Sequence, residues 1–367
     1  MTQLKQIDEI LALLEKERGN RHIVVLHEYP DPDAIACGYA QRLIGANFDI
    51  ETDILYAGEI SHQQNLALVR ALDTDLIKFD ENFDFNPYAG AILVDHQGST
   101  VQKILDRLQA AEIPVLILVD HHELQELVKP VFQDIRKTGA NSTIYAQYLE
   151  AMGFLDSGQR EHVLAATALM NGILTDTGGF VQANAEDLQA AAYLSNYRDA
   201  ELLSLILDQA RSKHVMEIIQ RALGNRVLVE SFSLAGLGYM RADDRDAIPE
   251  VADFLLTEEN VHTAIAYGIV RDEEQEETLV GSLRTGKFTL DPDDFIKTVF
   301  GTDSQGHFYG GGKVSAGGFS IPIGFLAGNY HDNFSDLKWQ VYDEQIKQKV
   351  LTKIGADLEQ LREQEVV

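Results

Sequence analysis

The chain has 367 residues, of which 45% are hydrophobic, and this length is enough for about two domains with buried cores. The 30 basic and 58 acidic side chains give a net charge of −28, which argues against a broad basic face for long duplex nucleic acid. The one cysteine, Cys37, cannot form an internal disulfide, which is typical of a reducing compartment.

The amino-terminal segment places apolar side chains at helical spacing among charged ones, and it lacks the apolar region of a secretion signal. No stretch of about 18 apolar residues occurs in the sequence, so no membrane span is expected. We therefore expect a cytoplasmic protein that does not bind a membrane.

In chain order, the first half alternates short apolar runs with helical patterns, which favours a parallel sheet covered by helices. The predicted buried strands are residues 22–26, 50–56, 91–94 and 114–119. The predicted helices are residues 34–44, 63–72, 100–111, 141–152 and 161–174.

The pattern changes near residue 212, after which apolar or alternating runs predict a smaller α/β domain with a mixed sheet. The predicted organisation is an amino-terminal domain over 1–211, a connecting helix over 212–230, a second domain over 231–330 and a terminal helix over 331–367. The terminal helix presents apolar residues four apart, namely Tyr342, Ile346, Val350, Ile354 and Leu358. This face predicts packing on the protein's own surface, and a homodimer contact is the alternative.

Charged side chains directly follow three of the predicted strands. The residues that share this position are His27, Asp31, Asp33, Asp95, Asp120, His121 and His122. Because the carboxyl ends of parallel strands meet at one edge of a sheet, these side chains are expected to lie together, where open α/β folds bind ligands. Asp176 follows the predicted helix 161–174 and is expected to close the same site. Carboxylate and imidazole donors of this kind suit a divalent ion such as Mn²⁺ or Mg²⁺.

These motifs closely resemble those of the DHH phosphoesterase superfamily, whose name is spelled here by Asp120-His121-His122. The first family motif, H-x-x-x-D-x-D, matches His27, Asp31 and Asp33, and the second and fourth motif aspartates match Asp95 and Asp176. Within the superfamily, the chain most resembles the bacterial oligoribonucleases that also dephosphorylate 3′-phosphoadenosine 5′-phosphate.

The resemblance implies two divalent ions, most readily Mn²⁺, that hold a bridging hydroxide for in-line attack on phosphorus. One implied ligand set is His27, Asp31 and Asp95, and the other is Asp33, Asp95, His121 and Asp176. The resemblance also implies that Asp120 orients the site, while His122 lies next to the scissile phosphate as a catalytic residue.

A glycine run in the second half resembles the signature G-G-H-x-x-A-x-G of the family's associated substrate-binding domain. The residues expected to contact substrate, through backbone N–H groups or cationic side chains, are Arg284, Gly311, Gly312, Lys313, Ala316 and Gly317. Lys313 departs from the family pattern, since histidine is usual there. By this resemblance, the substrate is expected in a cleft between the two domains.

The implied activity is metal-dependent hydrolysis of phosphate esters in short single-stranded oligonucleotides, linear dinucleotides or 3′-phosphoadenosine 5′-phosphate. Within the superfamily, the alternatives are a single-strand exonuclease, a cyclic dinucleotide phosphodiesterase and an inorganic pyrophosphatase or polyphosphatase. A non-catalytic nucleotide-binding regulator is the alternative from another class. Three weaker candidates for site or substrate contacts are His96, Asn141 and His307, whereas Cys37 is expected to be buried by packing.

Overall fold

The computed structural model describes residues 2–60, 62–209, 211–271, 276–328 and 332–356. The chain divides into two compact units, residues 1–210 and residues 211–367. Across the described ranges, no helix combines the length and the apolar character that crossing a bilayer requires.

Among the described residues of the first unit, six strands form one parallel sheet, here called sheet A, in the order β3-β2-β1-β4-β5-β6. The strands are β1 (Arg21–Val25), β2 (Glu51–Tyr56), β3 (Leu76–Lys78), β4 (Gly90–Val94), β5 (Val115–Asp120) and β6 (Phe132–Ile135). The helices are α1 (Thr2–Lys16), α2 (Pro32–Ala46), α3 (Gln63–Leu72), α4 (Gln102–Ala110), α5 (Asn141–Met152), α6 (Arg160–Asp176), α7 (Ala185–Leu194) and α8 (Ala200–Leu207).

Sheet A is buried on both faces, as its continuous apolar strands predict. Along β1, Val24 joins the core cluster that contains α2, α5 and α6, whereas Ile23 and Val25 join the cluster that contains α4. Since successive strand residues point to opposite faces, helices cover the sheet on each side. The charged side chains of the central strands β1, β4 and β5 therefore lie at the strand ends.

The second unit contains a mixed sheet, here called sheet B, in the order β11-β12-β10-β9-β8-β7 over its described residues. The strands are β7 (Val227–Val229), β8 (Phe232–Arg241), β9 (Thr263–Arg271), β10 (Glu277–Thr285), β11 (Gly310–Gly312) and β12 (Ala316–Pro322). Its helices are α9 (Lys213–Asn225), α10 (Ala247–Leu255), α11 (Pro292–Phe300) and α12 (Asp332–Ile354). The β8–β9 pair is parallel and the other pairs are antiparallel.

The predicted fold class, a parallel-sheet α/β domain followed by a smaller mixed-sheet α/β domain, is confirmed. Helix α12 packs on its own unit, because Ile346 and Val350 are buried in the core cluster that includes Tyr267 of sheet B. Leu358, predicted on the same apolar face, lies outside the described residues.

The glycine run forms part of a hairpin, because Gly310–Gly312 and Ala316–Pro322 pair as antiparallel strands. A Cβ on Gly317 would lie 2.4 Å from Cδ1 of Ile296, and one on Gly312 would lie 2.8 Å from Cβ of Pro292. Since both neighbours belong to α11, the absence of side chains in the hairpin allows this helix to pack against it.

Candidate metal centre

The candidate site lies where the strand order of sheet A reverses. Strand β1 pairs with β2 on one side and with β4 on the other, and β5 follows β4. His27, Asp95 and Asp120 stand at the carboxyl ends of β1, β4 and β5. Open α/β sheets bind ligands at such a switch point because the loops on either side diverge there.

Asp31 and Asp33 are positioned by the start of α2. Asp31 caps this helix, since its Oδ1 accepts a hydrogen bond from the N–H of Ala34 at 2.9 Å. Asp33 lies in the first turn and is fully buried. Its carboxylate accepts hydrogen bonds from the backbone N–H groups of Asn141 at 2.6 Å and Ser142 at 2.7 Å. The beginning of α5 therefore anchors Asp33 through donors that ordinarily lack helical partners.

Helix α6 approaches this carboxylate closely at Gly172. A Cβ at this position would lie 2.3 Å from Oγ of Ser142 and 2.8 Å from Oδ1 of Asp33. Only glycine allows this approach without displacement, and the same helix ends at Asp176. Cys37 is also buried beside Asp33, with its Sγ 3.7 Å from the carboxylate oxygen.

Asp95 is central to the acidic cluster. Its backbone is in the left-handed region, with φ +62°, and its side chain is buried. The Asp95 carboxylate lies 3.7 Å from Nε2 of His27, 3.4 Å from Nε2 of His121 and 4.0 Å from Nδ1 of His122. Its Oδ1 accepts no hydrogen bond from the part of the chain that the structure describes. A buried carboxylate oxygen of this kind is an expected ligand for a cation.

Over the residues that the structure describes, three groups of possible ligands lie around Asp95. Within each group, one ligand atom from each residue lies within 4.8 Å of the others. The groups are His27–Asp31–Asp95, Asp33–His121–Asp176 and Asp95–His121–His122. The structure therefore brings together the six residues of the two implied ligand sets. The group His27–Asp31–Asp95 is one of the two ligand sets that the DHH resemblance implies. The group Asp33–His121–Asp176 is the other set without Asp95, whose carboxylate lies 3.4 Å from Nε2 of His121.

The carboxylates of the cluster oppose one another's ionisation. Burial raises the pKa of Asp95 well above its usual value, and the charges of Asp33, Asp31 and Asp176 raise it further. Burial also raises the pKa of Asp33, although His121 and the N–H of Ser142 act in the opposite direction. Bound divalent cations would remove this repulsion, so the donor set fits such ions.

Asp120 differs from Asp95, because both of its carboxylate oxygens accept hydrogen bonds. Its Oδ1 lies 2.8 Å from Nδ1 of His122, and Nε2 of Gln97 donates to its Oδ2 at 2.7 Å. Burial acts to raise the pKa of Asp120, but the hydrogen bonds from His122 and Gln97 lower it below its usual value. Asp120 is therefore an orienting carboxylate for His122, whose side chain is about one-third exposed.

Gln97 was not predicted from the sequence. Its amide also donates to the carbonyl of Glu123 at 2.9 Å and accepts from the N–H of Gln125 at 2.7 Å. The side chain is buried and joins the segment after β4 to the segment after β5. Glutamine is neither a usual metal ligand nor an acid or base, so its position two residues after Asp95 drew no prediction. Its hydrogen bonds between the two segments are seen only in the folded chain.

His96, the first of the weaker candidates, neither lines the site nor faces solvent. The ring is buried, its Nε2 lies 2.9 Å from the carbonyl of Val25, and its Nδ1 accepts from the N–H of Gly98 at 3.0 Å. These contacts assign the neutral tautomer that carries its proton on Nε2. Burial lowers the pKa of His96 to about 4, so the residue is a neutral brace between β1 and β4.

The other two weak candidates lie in different surroundings. Asn141 begins α5 within the metal centre, where its backbone holds Asp33 and its side-chain N–H donates to the carbonyl of Val119 at 3.3 Å. His307 is exposed in the second unit and lies 3.3 Å from Asp303. Asn141 thus supports a predicted ligand, whereas His307 is bound to a neighbouring carboxylate.

The residues predicted to bind substrate meet at one end of sheet B. Arg284 of β10 is in register with Ala316 of β12, and the N–H of Lys313 donates to the carbonyl of Ala316 at 2.7 Å to close the β11–β12 turn. Gly311 pairs with Gly318 of β12, and Gly312 pairs with Gly317. The Arg284 guanidinium donates through Nε to Asp253 and through one amino group to Oγ of Ser282, both at 2.8 Å.

No protein-family model matches the chain. An uncharacterized protein from Methanocaldococcus jannaschii is 31% identical over 349 residues, which cover 94% of this chain. The chain spans 66% of the length of that relative.

Among solved structures, an exopolyphosphatase-related protein from Bacteroides fragilis has the same fold, with a TM-score of 0.67 and 17% identity. The match covers 94% of this chain and 98% of that protein. RecJ from Thermus thermophilus in complex with Mn²⁺ matches at 13% identity over 93% of this chain and 55% of RecJ, with a lower TM-score of 0.46. The two-unit α/β fold is thus shared with a known structure, and this agrees with the fold that the DHH resemblance implies.

Proposed function

We propose that the protein is a metal-dependent phosphoester hydrolase for short single-stranded oligonucleotides, linear dinucleotides or 3′-phosphoadenosine 5′-phosphate. The observation that carries this proposal is the cluster around Asp95, where buried carboxylates and imidazoles converge at the switch point of sheet A. Four aspartates and two histidines in this space have little use in a protein that only binds nucleotides.

Two divalent ions, Mn²⁺ in preference to Mg²⁺, are the cofactors that this donor set favours, because it mixes imidazole nitrogen with carboxylate oxygen. The residues that would hold them are His27, Asp31, Asp33, Asp95, His121 and Asp176. When bound, such ions neutralise a phosphoryl group and lower the pKa of a water molecule, which supplies the nucleophile for hydrolysis.

Asp120 and His122 are the side chains that would position and donate a proton in the reaction. Asp120 accepts the hydrogen bond from Nδ1 of His122 and thereby fixes the orientation of the ring. The partly exposed imidazole is then positioned to donate a proton from Nε2 to the leaving oxygen. In the second unit, Arg284 and Lys313 supply positive charge for a terminal phosphate.

A substrate panel with Mn²⁺ tests the proposal. The panel contains 3′-phosphoadenosine 5′-phosphate, a linear dinucleotide, a five-residue RNA, a long single strand, cyclic di-AMP and pyrophosphate, and kcat/KM is compared. We expect the first three to be preferred, whereas preference for the long strand or no turnover of any nucleotide would contradict the proposal. Asp95→Ala should abolish turnover, and His122→Ala should lower kcat by about 100-fold or more while Mn²⁺ still binds.

Polyphosphate hydrolysis is a second candidate, favoured by the shared fold of the exopolyphosphatase-related protein. Tripolyphosphate and a long polyphosphate are therefore added to the same panel. A kcat/KM for either compound above that for every nucleotide would favour this second activity.

A further inference from the structure

A cavity of about 400 Å³ lies at the edge of sheet A that carries the metal centre. Its walls come from the segments that leave the carboxyl ends of four strands. These segments contribute Glu28 after β1, Ala57 after β2, Asp80 after β3 and Ser99 after β4. Because the four strands are parallel, their carboxyl ends lie at one edge of the sheet. The volume is within the range of small-molecule sites, roughly 300–1,000 Å³.

Two of these segments also carry residues of the metal centre. Glu28, which is half-buried, directly follows the predicted ligand His27, and Ser99 lies four residues after Asp95. Since the Cα atoms of adjacent residues are only about 3.8 Å apart, the cavity wall begins next to a metal ligand. The cavity therefore adjoins the metal centre, although none of its lining side chains has a part in the proposed chemistry.

Hydrogen bonds between the segments hold the walls of the cavity together. The N–H of Gly58 donates to the carbonyl of Glu28 at 2.7 Å, which joins the segment after β2 to the segment after β1. Arg107 of α4 donates to the carbonyls of Glu81 and Phe83, and this fixes the segment after β3 to the helix. A cavity whose walls are already held in place requires little ordering when a ligand binds.

The lining combines carboxylates with apolar side chains. Its acidic members are Glu28, Asp80 and Glu81. Lys103 is the one basic side chain among the described residues of the lining, which also includes the buried apolar residues Val101 and Ile104. The excess of carboxylates repels a phosphoryl group, so the phosphate is expected at the metal centre instead. Uncharged hydrogen-bond donors are the groups that suit these carboxylates.

The carboxylates of the cavity are not arranged as a cation site. Within the described part of the chain, every group of three possible ligands within 4.8 Å of one another belongs to the metal centre, and none includes these carboxylates. Asp80 is oriented by the N–H of Asn82, which donates to its Oδ1 at 2.6 Å, and its other lone pairs are left for further donors. Separate carboxylates beside an apolar surface suit a sugar ring, because its hydroxyl groups donate while its C–H groups pack.

We propose that this cavity binds the ribose next to the scissile phosphate, with the carboxylates of Glu28 and Asp80 accepting hydrogen bonds from its hydroxyl groups. This inference rests on the proposed function and narrows it, because the substrate is then a ribonucleotide rather than a deoxyribonucleotide. The 2′-hydroxyl is the donor that distinguishes the two sugars. Hydrogen bonds to an ionised carboxylate are stronger than neutral ones, so the loss of this donor has a measurable effect.

The test compares kcat/KM with Mn²⁺ for three forms of a linear diadenylate, which carry ribose, 2′-deoxyribose or 2′-O-methylribose. The wild type should prefer the ribose form by about 10-fold or more, since the other two lack the hydroxyl that donates to a charged group. The double variant Glu28→Ala, Asp80→Ala should reduce this preference to about 3-fold or less. The ratio of the three values is the informative quantity, because it does not change with the amount of active enzyme.

The matched control is the double variant Glu161→Ala, Glu201→Ala, which removes the same charge from exposed positions. These glutamates lie on α6 and α8, whose apolar residues belong to one core cluster, whereas Ile104 of the cavity belongs to the cluster on the other face of sheet A. The control should keep the preference of the wild type for ribose.

A second measurement does not depend on turnover. Saturation-transfer NMR on the full chain, with EDTA present, compares the binding of adenosine and 2′-deoxyadenosine. The wild type and the control should bind adenosine more tightly, by about 10-fold, and the variant Glu28→Ala, Asp80→Ala should bind the two nucleosides about equally.

A wild type without a preference for ribose, or a preference that Glu28→Ala, Asp80→Ala leaves unchanged, would overturn the ribose site. If the wild type still hydrolysed the nucleotide panel, the proposed function would survive either result. Tighter binding of adenosine without turnover of any nucleotide would overturn the proposed function but support the cavity as a ribose site. Absence of both the binding preference and the turnover would overturn both proposals.

Discussion

At the scale of single residues, Gln97 uses both the amino group and the oxygen of its amide beside the candidate metal centre. Its amide makes three hydrogen bonds, to Asp120, Glu123 and Gln125, and it thereby holds the segment that carries His122. Because Asp120 orients His122, a change at Gln97 is expected to act on catalysis through two intervening side chains. Under the proposed function, Gln97 would be a positioning residue, because its amide contacts Asp120 and the segment after β5.

We predict that Gln97→Leu lowers kcat by about 10- to 100-fold with little change in KM, since small misplacements of a catalytic group have effects of this size. Leucine keeps the volume but leaves Oδ2 of Asp120 and the N–H of Gln125 without this partner. Steady-state kinetics on the best substrate of the panel provide the measurement. Gln133→Leu is the control, because Gln133 is exposed on β6. A kcat equal to that of the wild type would show that Gln97 only fills space.

For His96, we predict an effect on how the free energy of unfolding depends on pH. Its pKa is lowered from 6.5 to about 4 by burial, so between these values the unfolded chain binds a proton that the folded chain excludes. The stability that the neutral ring contributes is therefore complete above pH 6.5 and is lost as the pH falls toward 4. A shift of this size corresponds to roughly 3 kcal/mol.

Urea unfolding of the metal-free protein at pH 7 and pH 4.5 measures this effect. The neighbouring carboxylates also titrate in this range, so the informative quantity is the difference between the wild type and His96→Asn. We expect the variant to be less stable at pH 7 but to lose less stability on acidification. Equal losses in both proteins would show that His96 is charged in the folded state.

At the scale of elements, the strands that the sequence predicted are those whose own residues show a clear apolar pattern. Strands β1, β4 and β5 were predicted because a strand buried on both faces reads as a continuous apolar run. Strands β6 and β3 were missed since they lie at the edges of sheet A, and β6 reads Phe-Gln-Asp-Ile with two polar residues. Strand β11 was missed because glycine disfavours strands, and only pairing with β12 and packing by α11 explain it.

In the candidate site, too, some parts could be predicted from the sequence and others could not. Carboxylate and imidazole side chains just past strand ends are visible in the sequence, and the structure brings them together. The groups that hold them are not visible, because the donors to Asp33 are backbone N–H groups at the start of α5. Every residue except proline carries such a donor, so its position is known only from the fold.

Gly172 links the packing of three helices to the site. We predict that Gly172→Ala destabilises the protein by about 1 to 3 kcal/mol, because the added methyl group would overlap Ser142 and Asp33 in a closely packed region. Mn²⁺ affinity should fall as well, since Asp33 must move. Thermal unfolding and Mn²⁺ titration measure the two effects.

Gly224→Ala is the matched control for this helix substitution. Gly224 lies in α9, and a Cβ there would have no atom within 4 Å. Alanine should therefore leave stability unchanged or raise it by about 0.5 to 1 kcal/mol. If both variants unfolded at the same temperature as the wild type, α6 would not be confined at Gly172.

At the scale of the whole molecule, few of the acidic side chains belong to the candidate metal centre. The centre contains five carboxylates, Asp31, Asp33, Asp95, Asp120 and Asp176, out of 58 acidic residues in the chain. Most of the net charge of −28 is therefore borne elsewhere, where it repels long polyanions. Under the proposed function, local positive charge from bound ions would then favour short substrates.

We predict that Asp95→Asn stabilises the metal-free protein by at least ~1 kcal/mol, or about 2 to 4 °C in Tm, while abolishing turnover. The substitution removes a buried charge that lies among other carboxylates. Scanning calorimetry with EDTA and then with Mn²⁺ provides the measurement. The wild type should gain the larger Tm increase from Mn²⁺, and a variant that is less stable than the wild type in EDTA would contradict the repulsion argued for this cluster.

Cys37 makes the folded chain suited to site-specific labelling. Its thiol is buried against Asp33, and burial together with the charges of Asp33 and Asp95 raises its pKa well above the usual value. A maleimide reacts with the thiolate, so the native protein should remain unlabelled. A dye can therefore be attached through one introduced thiol, for example with Phe325→Cys, without first removing the natural cysteine.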